Sequence, residues 1–264
     1  MFAKQGDVQA VIRAYKALYP EELVERYKKG ERDFRCINLF RAELEKIFAD
    51  RFAAGQNIEL PAAYLEFNPL WNDYWRSFES EFEWDAWGNF IPSEFNDILP
   101  IRDLSNADLR GIDLSGSYLY RVKLEGANLS NSVMRKGQVF DSEWAAVDLN
   151  HADLRRTWFR DVDMTNANIY MSRLNQAKFM SCQLKGADLR RAKLRKAWLV
   201  WSDLTNAQLD RAHFDQTWLS GSKLLNVDFD QVDFRNSIVY EVALAKNQQQ
   251  AFLGAMRIRT NEVS

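Results

Sequence analysis

Cysteine and histidine are scarce in this 264-residue chain, with two of each. Cys36 and Cys182 lie far apart and have no CxxC or Cys/His ligand spacing around them, so nothing points to a metal site and a reducing, cytoplasmic setting fits best. G-x-S-x-G, P-loop, G-x-G-x-x-G and HExxH motifs are all absent. Asp and Glu are plentiful, but no pair stands out as an acid and base. The expectation is a protein that is not an enzyme and needs no cofactor or metal. Long apolar runs are missing too: no stretch of about 18 apolar residues occurs, and the N-terminus has no long apolar segment followed by a cleavage site, so neither a membrane span nor secretion is expected.

An excess of one charge is also lacking. The formal charge is -2, which gives no global reason to expect nucleic acid or a membrane surface as a partner, and on that ground nucleic acid is an unlikely one. The distribution is uneven, however, with residues 1–100 carrying 18 acidic and 12 basic side chains and residues 101–245 slightly basic. Apolar residues make up 47% of the chain, ample for a sizeable core.

Those apolar residues recur every five positions. From Leu104 the step passes through Leu109, Leu114, Leu119 and Leu124, and it continues through Met134, Val139, Trp144, Phe159, Phe179, Phe214 and Val239 to Leu244 without a frame break. Two positions earlier lies a small or β-branched residue, as at Ala107, Ala127, Ala152, Ala187 and Ala212. A period of five matches neither the 3.6 of a helix nor the 2.0 of a strand, but it suits a chain that turns a corner every five residues.

The segments NADLRGIDLSG, GANLSNS, GADLRRAKL and NAQLDRAHF resemble the A(D/N)LXX units of the pentapeptide-repeat family, over more than half of the chain. The resemblance implies an all-β solenoid, a right-handed quadrilateral β-helix with four pentapeptides per coil. In it the large central residue and the small residue before it point inward. About seven coils at about 4.8 Å each would make a rod about 34 Å long. ELVERYKKGERDFRCINLFRAEL further resembles the start of cyanobacterial stand-alone members.

The expected organisation is N-terminal helices over 1–31, a first coil over 32–51, an aromatic, acidic insertion over 52–99, the β-helix over 100–245 and a C-terminal helical cap over 246–264. Asp7 could cap a helix over about 8–18, and Pro20, Glu21 and Glu22 could start a second that ends at Gly30. Phe34, Leu39 and Leu44 keep the five-residue step. In the insertion, Leu70, Trp71, Tyr74, Trp75, Phe78 and Phe82 follow helical spacing. Phe252, Leu253, Met256 and Ile258 suggest the closing helix, and homodimerisation through this end is the rival reading.

Residues twenty apart stack in columns, so the outer surface can be read face by face. One face presents Tyr118, Trp158, Trp198 and Trp218 in one column and Tyr120, Phe140, Met180, Val200 and Tyr240 in another, with Trp201 one step beyond. Contiguous apolar surface marks a contact, either with the insertion, with a second protomer or with a protein partner. The adjoining corner is basic, formed by Arg135, Lys136, Arg155, Arg156, Arg173, Lys193, Arg195 and Lys196. It could be solvated charge, or could bind single-stranded nucleic acid or a phosphorylated ligand. A third column, Asp108, Asn128, Asp148, Asn168, Asp188, Gln208 and Asp228, is expected to hydrogen-bond nearby backbone at the turns. His151 and His213 point outward on different faces, and Cys182 points inward.

The preferred reading is a non-enzymatic protein-protein interaction scaffold that uses these outer faces. The resemblance also implies an alternative, since the family's well-understood members mimic DNA and bind DNA gyrase through strongly acidic rods. This chain departs from that pattern in being near neutral, with basic corners.

Overall fold

The computed structural model describes residues 16–17, 20–35, 37–38, 102–229, 231–244 and 257–262. The chain divides into two compact units, Met1–Leu18 with Asn38–Pro100, and Tyr19–Ile37 with Ile101–Ser264. Of the first, only β1 (Lys16–Ala17) and Asn38, in the strand β2 (Ile37–Asn38), are described. The helix expected over 8–18 therefore does not include Lys16 and Ala17, which are strand. The insertion, with Leu70, Trp71, Tyr74, Trp75, Phe78 and Phe82, lies outside the described residues, as do Leu39 and Leu44.

The second unit is a parallel β-solenoid whose geometry follows from the five-residue step. Every fifth residue from Asn106 to Glu241 has a positive φ, between 48° and 67°. These left-handed residues are the corners. Three corners of each coil are closed by a hydrogen bond from the N–H of residue i+3 to the carbonyl of residue i, as in Ala107 to Leu104, Ile112 to Leu109 and Ser117 to Leu114. At the fourth, inward hydroxyls take over: Ser142, Ser202 and Ser222 accept from the backbone N–H of Val122, Cys182 and Ser202 at 3.1, 3.3 and 3.1 Å. Glycine and asparagine adopt the left-handed region readily, whereas other residues resist it by roughly 1–2 kcal/mol. Gly126, Gly186, Asn131, Asn166 and Asn206 suit their corners, while Met171, Arg191 and Trp201 are held there by the coils on either side.

Each coil is tied to the next by ladders with a step of twenty. The main sheet runs through β4 (Tyr118–Tyr120), β6 (Gln138–Phe140), β7 (Trp158–Arg160), β8 (Lys178–Met180), β9 (Trp198–Val200), β10 (Trp218–Ser220), β11 (Ile238–Leu244) and β12 (Arg257–Glu262). β3 (Arg102–Asp103) pairs with β5 (Val122–Lys123) on the next side. Single bridges such as Asp108 to Asn128 and Arg173 to Lys193 continue the ladders on the remaining sides. The interior is filled by the central residues: Leu129, Met134, Trp144, Phe159, Ile169, Phe179 and Leu199 are all 0% exposed. Phe159 and Phe179 stack at 4.9 Å with planes 13° apart, and Trp144 meets Phe159 edge-on at 5.8 Å. Such rings contribute about 1.5–3 kcal/mol each by burial. At several positions where Ser or Thr replaces the small Ala, the hydroxyl donates to the carbonyl 23 residues earlier, as Ser172 to Leu149 (2.6 Å) and Thr217 to Leu194 (2.9 Å).

At the N-terminal end, α1 (Pro20–Lys28) begins with Glu21 and Glu22 and ends with Arg26 and Lys28, complementing the helix dipole. It buries Leu23 and Tyr27, and the Tyr27 hydroxyl donates to the Arg110 carbonyl at 2.7 Å. After Gly30 (φ +96°) the chain drops into the coil, with Asp33 bridged to Asp113 and Phe34 buried beneath it. Asp33 thus occupies the place of residue 93 in the ladder.

The C-terminal end differs from the sequence expectation. Arg257–Glu262, within the segment read as a helical cap, is strand β12, paired in parallel with β11 from Ile238↔Arg257 to Leu244↔Glu262. The unpaired N–H and C=O groups at the edge of β11 offer more hydrogen bonds than a short helix can make alone, and Ile258 and Thr260 are β-branched. Phe252, Leu253 and Met256 lie outside the described residues.

Candidate binding surface

The outer columns of β4 to β11 carry the aromatic residues singled out from the sequence, and the fold separates them into two clusters. In the first, Tyr118, Phe140 and Trp158 form an edge-to-face ladder, with centroids 5.6 and 5.0 Å apart and planes at 77° and 82°. Tyr118, Tyr120, Phe140 and Trp158 are buried, Phe140 completely. Burial, with the nearby Asp141 carboxylate, pushes the Tyr120 phenol up to about 12.

Lys178 interrupts the column. Its ammonium sits 4.5 Å from the centre of the Trp198 ring, and burial lowers its pKa to about 8. The second cluster follows, with Trp198 and Trp218 tilted at 50° and 5.4 Å apart. Trp198, Trp218, Met180 and Tyr240 are half-buried and Val200 is buried. Between these tryptophans opens a groove of about 500 Å³ lined by Trp198, Gln216, Thr217, Trp218, Asn236 and Ile238. Beside it Trp201 is 54% exposed. Its indole lies over Gly221, where a methyl group would run into the ring. The apolar face expected from column arithmetic is therefore not uniform, because its first half is already covered and its accessible part is confined to the later coils.

The basic corner also resolves into unlike parts. Arg135 and Arg155 both bind Asp153 at 2.7 Å. Burial opposes ionisation of Asp153, but the two guanidinium groups outweigh it and hold the carboxyl at about 2. Arg195 pairs with Asp215 at 3.0 Å, and Arg156 donates to Gln176 at 2.6 Å. Lys136 is exposed. Arg173, Lys193 and Lys196 are exposed and make no ion pair among the described residues. Arg191 shares that condition one corner away, and Arg211, which donates to Gln231 at 2.9 Å, stacks on it. Both were legible in the same columns, but the sequence reading followed the corner next to the tryptophans.

The acid and amide column caps turns: Asn128, Asp148, Asn168 and Asp188 accept from the backbone N–H two residues on, at 3.0, 3.0, 3.3 and 3.0 Å. Among the described residues no group of His, Cys, Asp and Glu could hold a metal ion, and no helix is long and apolar enough to cross a membrane. His151 is exposed beside Tyr170, with ring centres 6.1 Å apart, and His213 is exposed in a separate column. Burial raises the Cys182 thiol to about 12, so it is not a nucleophile.

Several solved structures share similarity with this chain. HetL, a pentapeptide repeat protein involved in heterocyst differentiation regulation from Nostoc sp. strain PCC 7120, is 24% identical over 61% of this chain and 82% of its own, with a TM-score of 0.30. A pentapeptide repeat protein from the Arabidopsis thaliana thylakoid lumen is 26% identical over 42% of this chain and 71% of its own, with a TM-score of 0.28. QnrB1, a plasmid-mediated fluoroquinolone resistance protein, is 17% identical over 61% and 80%, with a TM-score of 0.38. No curated protein sequence matches the chain. The family model for pentapeptide repeats matches eight copies, over residues 103–135, 145–179, 182–221 and 197–236. With a corner at every fifth residue and an apolar side chain facing inward between corners, the chain belongs to the pentapeptide-repeat family.

Proposed function

We propose that this chain is a non-enzymatic scaffold that holds a protein partner on the outer faces of its solenoid. The observation that carries this reading is Trp201, an indole 54% exposed on a left-handed corner that disfavours it, beside the open groove at Trp198 and Trp218. A stable coil needs no bulky ring there, whereas binding hot spots are enriched in tryptophan. The coil interior is occupied by side chains, and among the described residues the two histidines stand apart on the outside and the Cys182 thiol is buried. A reducing, cytoplasmic setting accords with the buried free thiol of Cys182. The exposed cations of the later coils argue against mimicry of DNA's negative surface.

The test is quantitative affinity capture with the wild type and with Trp201→Ser, whose outward side chain leaves the core untouched. Loss of a hot spot worth at least about 2 kcal/mol should reduce recovery of a genuine partner by roughly 30-fold at limiting bait. Equal recovery by both proteins would refute a role for this corner.

A further inference from the structure

We propose that the side of the solenoid bearing Arg173, Arg191, Lys193 and Lys196 binds the phosphodiester backbone of a single-stranded nucleic acid. The four cations belong to two successive coils, are exposed, and have no acidic partner among the described residues. Arg173 and Lys193 are direct neighbours in one parallel ladder, so two like charges lie about 4.8 Å apart along the backbone. Such a stack opposes folding.

Val133 and His213 occupy this ladder position in two further coils, and the coils that carry aspartate there show what a purely structural residue does. At the same ladder position Asp113, Asp153 and Asp233 each accept from the backbone N–H two residues on, at 2.9, 3.4 and 3.1 Å. Asp153 and Asp233 also bind the arginine two residues on, at 2.7 Å in each case. Arg173 and Lys193 cannot accept a hydrogen bond and forgo these contacts. The substitution of cations for aspartates thus costs the fold in two ways, and an anionic ligand would offset both.

The shape and the neighbours select the class of ligand. The cations follow the ladder and the corners on either side of it, an arrangement suited to an extended polyanion. Lys196 is two residues from Trp198 and stacks on Gln216, so the basic side meets the groove with Gln216, Trp218 and Asn236 around one corner. Cations along a backbone track beside aromatic faces and amides favour single-stranded nucleic acid over an acidic polypeptide, which has no bases to stack. The net charge of -2 concealed this, because the acidic first hundred residues balance the basic coils.

The experiment is a fluorescence-anisotropy titration of the full chain with a labelled mixed-sequence 20-nucleotide single strand, from 50 to 300 mM salt. Four phosphate contacts predict a slope of log K against log salt of about −3. Arg173→Gln with Lys193→Gln should flatten that slope by about 1.4. Trp218→Ala should weaken single-strand binding by roughly 5- to 150-fold. Circular dichroism melts confirm that each variant is folded. Absence of binding at 50 mM salt, or an unchanged slope in the double glutamine variant, would overturn the proposal. So would polyglutamate or duplex DNA competing as well as the single strand, the first of which would assign the surface to acidic protein.

Discussion

Two glycines at left-handed corners of nearly the same φ differ in what lies over them, which makes the packing of Trp201 measurable through the coupling of Gly221 to it. Gly111 (φ +67°) has open space where a methyl group would stand, whereas at Gly221 (φ +63°) that space holds the Trp201 indole. For Gly111→Ala, the left-handed conformation costs about 1–2 kcal/mol. The reduced freedom of the unfolded chain returns about 0.4–1 kcal/mol. The net loss is about 1 kcal/mol. Gly221→Ala carries the same loss and must also turn the indole away from its rotamer, adding about 0.5–1.5 kcal/mol. Urea unfolding followed by circular dichroism gives each difference, provided the m-value is unchanged. Trp201→Ala in the Gly221→Ala background should bring the cost back to that of Gly111→Ala, a coupling of about 0.5–1.5 kcal/mol in the double-mutant cycle. Equal costs for the two glycines, or no coupling to Trp201, would refute the reasoning.

Two further predictions concern pH. The folded-state pKa of Asp153, about 2, lies below its ordinary value of 3.8, so the stability from its arginines is present above pH 4 and lost as pH falls towards 2. Because both arginines are partly exposed, that contribution is about 1–2 kcal/mol, and acid titration of Asp153→Asn should lack this part of the wild-type loss. For Lys178, the folded pKa of about 8 lies below the ordinary 10.5, so the unfolded chain binds the extra proton and stability rises with pH from about 8. Cys182, raised from 9 to about 12, opposes this above pH 9, so the window to measure is pH 8 to 9. There urea midpoints should rise by the equivalent of about 1 kcal/mol, and Lys178→Met should abolish the rise.

The solenoid could be read from the sequence because an inward position on a five-residue side tolerates only apolar or small residues, and Leu104 to Leu244 obey this without a break. Column arithmetic also placed Tyr118, Phe140 and Trp158 on one outer face, as observed. It could not show that they are buried, since a column fixes where a side chain points but not what lies against it. The strand at Arg257–Glu262 was missed for a related reason. A short apolar segment suits either helix or strand, and the open edge of β11 decides between them. Arg191 and Arg211 were overlooked because they stand one corner away from the basic residues that drew attention, and only distances show that Arg211 pairs with Asp210 at 3.9 Å while Arg191 makes no ion pair among the described residues.

Stability and binding can be separated at Lys193. If its column served only the fold, aspartate would be the better residue, as Asp153 and Asp233 show by capping the N–H groups of Arg155 and Arg235 while pairing with their guanidinium groups. Lys193→Asp would restore an acceptor for the Arg195 N–H, adding about 0.5–1.5 kcal/mol. It would also replace the like-charge contact with Arg173 by an attractive one, adding about 0.2–1 kcal/mol. The variant should therefore unfold at higher urea, by about 1–2 kcal/mol, while losing affinity for the single-stranded oligonucleotide. A binding residue is distinguished by that opposition. If Lys193→Asp lowered stability as well, the lysine would be a structural part of its coil, and the argument that its charge is held at the expense of the fold would fail.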